Sequence, residues 1–159
     1  MKPAGFSNWL VKVISTFFFI GYLPLIPGTF GSIAGVGIFY LFPNSHQPGY
    51  FIFIFCIMVL GLLTSGRAEK LLNRKDPGCI VIDEVMGMLI ALSFLPPEPK
   101  IVILAFIMFR ILDTLKPFPA SRLQNMHGAI GVMGDDLVAG IYANIVLQVI
   151  LRLSSFSAV

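Results

Sequence analysis

Five carboxylates stand where apolar runs of this sequence begin or end. They are Asp83 and Glu84 early in the run 80–95, Asp113 late in the run 101–115, and Asp135 and Asp136 at the start of the run 136–153. Ionisable side chains near a bilayer cost free energy, so they indicate a functional site by default. Grouped carboxylates without a histidine or cysteine ligand favour a hard cation such as Mg²⁺, which prefers oxygen donors.

Basic and hydroxyl side chains near these acids are suited to binding a phosphate group. Arg110 and Lys116 flank Asp113 at i−3 and i+3. The stretch 28–32 (GTFGS) adds hydroxyl groups and flexible backbone N–H groups, although it is no Walker motif. Cationic donors beside metal-binding acids are typical of phosphoryl chemistry. The residues expected to bind phosphate are Gly28, Thr29, Ser32, Arg110 and Lys116.

The residue types exclude several other phosphatase designs. Neither Cys56 nor Cys79 is followed by the arginine that thiolate catalysis requires, and the D-x-D pattern of aspartyl nucleophiles is absent. A histidine-based lipid phosphatase would have only His127 on the side of the acids. Metal-assisted attack by water therefore remains the expected chemistry.

The composition indicates an integral membrane protein. Of the 159 residues, 57% are hydrophobic and 12% are charged, and the mean hydropathy is +0.89. Soluble domains carry roughly 25% charged residues, about twice this value. The net charge of +3 does not indicate a nucleic-acid partner, because the basic residues lie at the ends of apolar runs. We expect residues 1–159 to form a single domain.

The apolar runs predict an all-α, polytopic membrane bundle of about four to five helices. The predicted crossings are 33–42, 50–65, 80–95, 101–115 and 136–153. Pro24, Pro27 and the nearby glycines predict a break in the backbone over residues 24–32, after an aromatic run at 9–23. We interpret 67–76 as a charged loop in which Glu69 and Asp76 are solvated.

The distribution of lysine and arginine predicts the orientation. Three segments, 2–12, 67–75 and 110–122, hold nine of the eleven basic residues. If the N-terminus is cytoplasmic and each strong run crosses once, these segments all lie inside. The same topology brings all five acids to one depth on the cytoplasmic side. It implies that the lipid bilayer is a partner of the chain.

Small residues follow the acids on the same helix faces and predict close helix packing. Asp83 is followed by Gly87 and Ala91, and Asp136 by Gly140 and Asn144, each at i+4 and i+8. A single acid is explained equally well by an intrahelical ion pair or by a helix N-terminus. Five acids at one level favour a common functional site instead.

Competing functions make different predictions about these acids. A small ion-coupled transporter or channel subunit would use them as an ion site and would spread them through the membrane depth. A CDP-alcohol phosphotransferase would carry a D-G-x-x-A-R signature, which this sequence lacks. An assembly factor without chemistry would leave the acids unexplained. The transporter remains the alternative to a phosphatase.

Three long segments resemble the phosphatidylglycerophosphatase A family. They are 23–32 (LPLIPGTFGS), 76–92 (DPGCIVIDEVMGMLIAL) and 109–144 (FRILDTLKPFPASRLQNMHGAIGVMGDDLVAGIYAN). The resemblance implies a Mg²⁺-dependent hydrolase of the bacterial inner membrane. Its substrate would be phosphatidylglycerophosphate, and its products would be phosphatidylglycerol and inorganic phosphate. The family's acidic motif falls on Asp83-Glu84, Asp113 and Asp135-Asp136, with Gly28-Thr29 and Lys116-Pro117 beside it.

We assign hypothetical roles to these residues. Asp83, Asp113 and Asp136 would bind one or two Mg²⁺ ions, and Glu84 or Asp135 would complete the metal shell or accept a proton from water. Arg110, Lys116 and the segment 28–32 would stabilise the phosphate oxygens. The oligomeric state does not follow from the sequence.

Overall fold

The computed structural model describes residues 5–42 and 44–156, and these residues contain seven α-helices and no β-strand. The helices are α1 (Phe6–Ser15), α2 (Pro27–Phe39), α3 (Pro48–Leu72), α4 (Ile82–Leu92), α5 (Pro99–Leu115), α6 (Ala120–Gln124) and α7 (Ala129–Phe156), with a 3₁₀ turn over Ile20–Tyr22. The predicted all-α class is confirmed. Lys2, which contributes to the predicted basic N-terminal segment, lies outside the described residues.

The short helix α4 forms the centre of the bundle. Nine of its eleven residues are buried, and it packs against α2, α3, α5 and α7. A helix that is apolar on all sides is buried on all sides. At ~1.5 Å per residue it is only about half as long as the ~30 Å apolar thickness of a bilayer. The apolar run 80–95 therefore forms a core helix that other helices enclose.

Two of the described helices are long and apolar enough to cross a membrane. They are α3, over Pro48–Leu72, and the Ala129–Leu153 part of α7. Length and composition are the basis of this assignment, and α2 is a shorter apolar helix of 13 residues. The four to five crossings expected from the sequence are not confirmed and stay a prediction.

The break in the backbone lies earlier than the sequence predicts. Phe17, Phe18, Phe19 and Leu25 all have positive φ, between 44° and 79°, in the segment that joins α1 to α2. Pro27, by contrast, occupies the first turn of α2, where its fixed φ suits a helix and its missing N–H costs nothing. The predicted break is therefore wrong for residues 27–32, which are helical.

Two further boundaries differ from expectation. Helix α3 continues to Leu72, so Arg67, Glu69 and Lys70 are helical and do not belong to a loop. Helix α7 begins at Ala129, about two turns before Asp135 and Asp136. The helix can start early because the glycines at its beginning let it pack directly on the α6 segment. A Cβ at Gly134 would lie 3.3 Å from the Leu123 side chain.

Candidate active site

The five acids converge from three helices onto one place. Oxygen atoms of Asp83, Glu84 and Asp136 lie within 4.8 Å of one another, and so do oxygen atoms of Asp113, Asp135 and Asp136. Asp136 of α7 therefore joins the pair on α4 to Asp113 on α5. We name these five residues the acid cluster. The structure brings together all the acids that the sequence singles out, and their chemical roles remain predictions.

Close contact between α4 and α7 makes this convergence possible. The backbones of Gly87 and Gly140 touch, so a Cβ at Gly140 would clash with the Gly87 carbonyl oxygen. One turn further along, the Asn144 amide donates hydrogen bonds to the carbonyl oxygens of Ala91 (3.0 Å) and Ser93 (2.6 Å). The small-residue faces predicted from the i, i+4, i+8 spacing are therefore confirmed as the contact surface.

Several oxygens of the acid cluster are buried without a hydrogen-bond partner. Among the described residues these are Glu84 Oε2, Asp135 Oδ1 and Asp136 Oδ2. A buried carboxylate oxygen without a partner is costly, and a bound cation would remove that cost. The donor set consists of carboxylates, which are the ligands that Mg²⁺ prefers. The residues present therefore fit a hard divalent cation held by Asp83, Glu84, Asp113 and Asp136.

Two basic side chains border the acid cluster. Arg110 Nη1 lies 2.9 Å from Asp113 Oδ2 and also donates to Ser32 Oγ at 3.5 Å, so it connects α5 to α2. Lys116 pairs with Asp135 of α7. The intrahelical ladder Arg110–Asp113–Lys116 is therefore only half formed. Lys116 ends α5 in a left-handed conformation with φ 46°, which turns the chain toward α7.

The ion pair also controls the charge of Lys116. Burial lowers the pKa of this amine, but the hydrogen bond from Lys116 to Asp135 and the negative charges of Asp135 and Asp113 outweigh that effect. The resulting pKa lies above its usual range, so Lys116 is cationic at neutral pH. A fixed positive charge at this edge of the acid cluster is suited to an anionic substrate.

The first turn of α2 lies against the acid cluster and replaces the flexible loop that the sequence predicts. A Cβ at Gly28 would clash with Glu84 Oε1 and lie 3.4 Å from Arg110 Nη1, so a larger residue would displace the Glu84 carboxylate. The Ser32 hydroxyl donates to the Gly28 carbonyl oxygen at 3.0 Å. Thr29 is half-buried beside Gly28, and no hydrogen bond joins it to the acid cluster in the described chain. The first N–H groups of a helix lack intrahelical acceptors and attract anions.

Glu69 has a structural role that sequence reasoning misses. Its two carboxylate oxygens accept hydrogen bonds from the backbone N–H of Asp76 (2.8 Å) and from that of Gly128 (2.9 Å). It thereby ties together the segments that lead into α4 and α7. The interpretation of Glu69 as a solvated loop charge is wrong. Only the prediction that α3 continues past residue 66 would have revealed it, because that prediction places Glu69 on a helix.

Asp76 is exposed, but it is not isolated from the acid cluster. The protein around Asp76 removes part of the water from this carboxyl, which raises its pKa, and the negative charge of Asp135 raises the pKa further. The positive charge of Lys116 acts in the opposite direction. Asp76 therefore contributes to the electrostatic field of the site, which its position in a charged segment of the sequence does not reveal.

Comparison with known proteins identifies the family. A family model described as phosphatidylglycerophosphatase A matches residues 13–151. The chain is similar to phosphatidylglycerophosphatase A of Escherichia coli strain K12, with 37% identity over 123 residues, 76% of this chain and 72% of that protein. It is similar to the Haemophilus influenzae protein of the same name, with 32% identity over 141 residues and 86% of each chain covered.

A relative with a different name covers even more of the chain. A Bacteroides thetaiotaomicron protein, provisionally named phosphatidylinositol-3-phosphatase, is 32% identical over 152 residues, 89% of this chain and 94% of that protein. No solved structure matches the chain. The family model covers every residue of the acid cluster, and it favours a phosphatase over an ion-coupled transporter. The chain therefore belongs to the phosphatidylglycerophosphatase A family and is a phosphatase.

Proposed function

We propose that this protein is a Mg²⁺-dependent lipid phosphatase of a bacterial inner membrane. It hydrolyses the terminal phosphomonoester of phosphatidylglycerophosphate and releases phosphatidylglycerol and inorganic phosphate at the cytoplasmic surface. The names of the Escherichia coli and Haemophilus influenzae relatives support this substrate. The Bacteroides thetaiotaomicron relative is named for a different lipid phosphomonoester, so the selectivity between lipid headgroups requires a direct test.

One observation carries the proposal. Five carboxylates from α4, α5 and α7 meet in one cluster, with three buried oxygens that have no partner among the described residues. Arg110 and Lys116 stand at the edge of the same cluster. Acids that concentrate a divalent cation, beside cations that attract a phosphate, are the two parts that phosphoryl transfer needs.

The acids would divide into ligands and a base. Asp83, Asp113 and Asp136 would hold Mg²⁺, and the metal supplies Lewis acidity toward a phosphoryl oxygen and toward an attacking water. Glu84 would complete the metal shell or accept the proton, and it suits the second role better than Asp135 does because its Oε2 has no hydrogen bond among the described residues and its Oε1 faces the first turn of α2. Asp135 is already paired with Lys116 and holds that amine in place.

The basic residues and α2 would orient the substrate phosphate. Arg110 is fixed between Asp113 and Ser32, so its guanidinium needs no reorganisation when an anion arrives. The first-turn N–H groups of α2, at Gly28 and Thr29, begin beside Arg110 and offer further donors. Together they would stabilise the negative charge that develops on the equatorial oxygens.

The placement of the site suits a lipid substrate. The acid cluster lies near the C-terminal end of α5 and the N-terminal part of α7, which is one of the two candidate spans. The headgroup of a lipid reaches this depth while its acyl chains remain in the bilayer, so the enzyme has no need to extract the lipid. Positive segments around 67–75 and 110–122 favour the cytoplasmic side for this end.

Phosphate release by the detergent-purified full chain tests the proposal. The substrates would be phosphatidylglycerophosphate, phosphatidylinositol 3-phosphate, phosphatidic acid and a soluble phosphomonoester, each with Mg²⁺ and with excess EDTA. We expect Mg²⁺-dependent release from phosphatidylglycerophosphate and little from the other three. Faster release from phosphatidylinositol 3-phosphate would show that this lipid is the substrate. Phosphate release that persists in EDTA would refute the proposed dependence on Mg²⁺.

Matched acid-to-amide variants assign the cluster to the reaction. Asp83→Asn should abolish turnover, whereas Glu98→Gln, at the opposite end of α5, should leave it unchanged. Both variants lose one negative charge, so the pair separates a site effect from a change in net charge. Normal turnover in Asp83→Asn would remove this residue from the site.

A further inference from the structure

A separate cavity at the same end of the bundle is lined by more basic than acidic side chains. It has a volume of about 520 Å³, and Lys70, Arg74, Lys75 and His127 contribute to its wall. None of the five residues of the acid cluster lines it. Ligand pockets in proteins commonly have volumes of ~300–1,000 Å³, so the cavity is large enough for a small anionic group.

Two basic side chains of this cavity form no ion pair within the described chain. The ion pairs of the described residues are Arg110–Asp113 and Lys116–Asp135, and both lie at the acid cluster. Among these residues, neither Lys70 nor Arg74 therefore has an acidic partner within ion-pair distance. Glu69 also lines the cavity and offsets one positive charge, but both of its oxygens accept hydrogen bonds from backbone N–H groups, which keeps its carboxylate from pairing with Lys70 or Arg74. Lys75 Nζ donates to the Asn125 carbonyl oxygen at 3.3 Å and keeps its charge.

The cavity lies between the ends of the two candidate membrane spans. Its wall comes from the C-terminal turns of α3, from residues 73–75 that follow α3, and from His127 and Gly128, which directly precede α7. Gly66 permits this approach, because a Cβ there would lie 2.9 Å from the Ala129 nitrogen. Basic pockets between spans, at the level of the headgroups, are suited to the phosphate of an anionic lipid.

We propose that this basic cavity binds a phosphate group at a site separate from the acid cluster. The phosphate is that of an anionic phospholipid headgroup or free inorganic phosphate, both of which present the same charged oxygens to Lys70 and Arg74. None of the five acids of the acid cluster lines the cavity. Binding here does not depend on hydrolysis, so it goes beyond the proposed function.

Equilibrium binding to the detergent-purified full chain tests the site. The probe is fluorescent phosphatidylserine in phosphatidylcholine–detergent micelles, because phosphatidylserine is an anionic phosphodiester and not a product of the reaction. The test variant is Lys70→Gln/Arg74→Gln, and the charge-matched control is Lys100→Gln/Arg152→Gln at the far ends of α5 and α7. Each basic residue near an anionic surface contributes a factor of about five, so we expect roughly 30-fold weaker binding in the test variant alone.

Competition with inorganic phosphate distinguishes the two sources. If millimolar phosphate displaces the lipid from the native chain but has no effect on the variant, the cavity takes free phosphate. If phosphate fails to displace the lipid, the headgroup is the ligand. Equal binding by the test variant and the control would overturn the proposal, because it would show a diffuse surface effect. Phosphate release by both variants checks that the chain is folded, and it should be normal in both.

Discussion

Replacing Gly87 by alanine should displace the acid cluster and lower turnover while the chain still folds. Gly87 lies on α4, one turn after Asp83, where α4 meets α7 and α5. A Cβ there would lie 2.7 Å from the Phe109 ring and 2.8 Å from the Asp136 carbonyl oxygen. Both atoms belong to rigid, buried parts of the neighbouring helices. Alanine can therefore fit only if α4 moves away from the helices that carry Asp113 and Asp136.

The size of this movement sets the expected loss. Ordinary contacts of a Cβ begin near 3.4 Å, so the helices must separate by roughly 0.6–0.7 Å. Overpacking of this kind costs about 1–3 kcal/mol of folding stability. A shift of about 1 Å in a catalytic group can cost ~100-fold in rate, so we expect Gly87→Ala to lower turnover by about 10-fold to 100-fold.

Gly37 on α2 provides the matched control, since a Cβ at this position meets nothing within 4 Å. Gly37→Ala should leave turnover unchanged and stabilise the helix by up to about 1 kcal/mol. The assays are phosphate release at saturating substrate and Mg²⁺, and thermal unfolding in the same detergent. Turnover within twofold of the native rate in Gly87→Ala would refute the argument that this contact positions the acids.

Three further substitutions test individual contacts. Lys116→Met should lower turnover and the melting temperature, because it leaves the Asp135 carboxylate buried without its partner. Adding Asp135→Asn should restore the melting temperature but not turnover. If the double variant recovers both, Lys116 stabilises the fold and has no role in the reaction. Asp76→Asn should raise the melting temperature at pH 7 in EDTA, since the raised pKa of Asp76 shows that the folded chain disfavours its charged form. The difference in melting temperature between variant and native chain should vanish as the pH falls toward ~4, where the carboxyl becomes protonated. A difference that does not change with pH would show that the charge of Asp76 is not its cause. Glu69→Gln should lower the melting temperature by about 2–4 °C, whereas Glu98→Gln should not, because an amide nitrogen cannot accept the second backbone N–H.

The membership of the acid cluster could be predicted from sequence, because the acids follow rules that are local or nearly so. Asp83, Asp113 and Asp136 occur at the ends of apolar runs, and the small residues after two of them define a contact face. These patterns depend on helical periodicity and on the cost of charge near a bilayer, which act wherever the chain folds.

The helix boundaries could not be predicted as well, because tertiary contacts determine them. Hydrophobicity alone ends α3 near residue 65, but Glu69 and the segment before α7 hold one another in place and extend the helix to Leu72. Similarly, the glycines of 28–32 look like a flexible loop, whereas in the structure they belong to α2, whose glycines let it lie against α4. A Cβ at Gly35 would lie 2.9 Å from Met88 Cβ.

The central position of α4 was equally inaccessible to sequence reasoning. Its residues are as apolar as those of α3, and only its length distinguishes a core helix from a span. An apolar run ending in Pro96-Pro97 gives no sign that four other helices enclose it. Burial of α4 has a functional consequence, since it surrounds Asp83 with protein on every side and leaves that residue 6% exposed.

If the acid cluster binds Mg²⁺ as proposed, its burial should make folding stability depend on the metal. Asp136 lies beside the carboxylates of Asp83 and Glu84 on one side and of Asp113 and Asp135 on the other. Its Oδ2 has no hydrogen-bond partner in the described chain, so without a cation its negative charge is not compensated. Asp136→Asn removes one of these charges, so in EDTA its melting temperature should exceed that of the native chain. With Mg²⁺ at about 100 times its dissociation constant, the native chain should gain about 2.7 kcal/mol, or roughly 5–10 °C, and the order of the two melting temperatures should reverse. Thermal unfolding in both buffers measures the effect. If Mg²⁺ shifts the two melting temperatures equally, Asp136 does not bind the metal, and the proposed division of the acids into ligands and base is wrong.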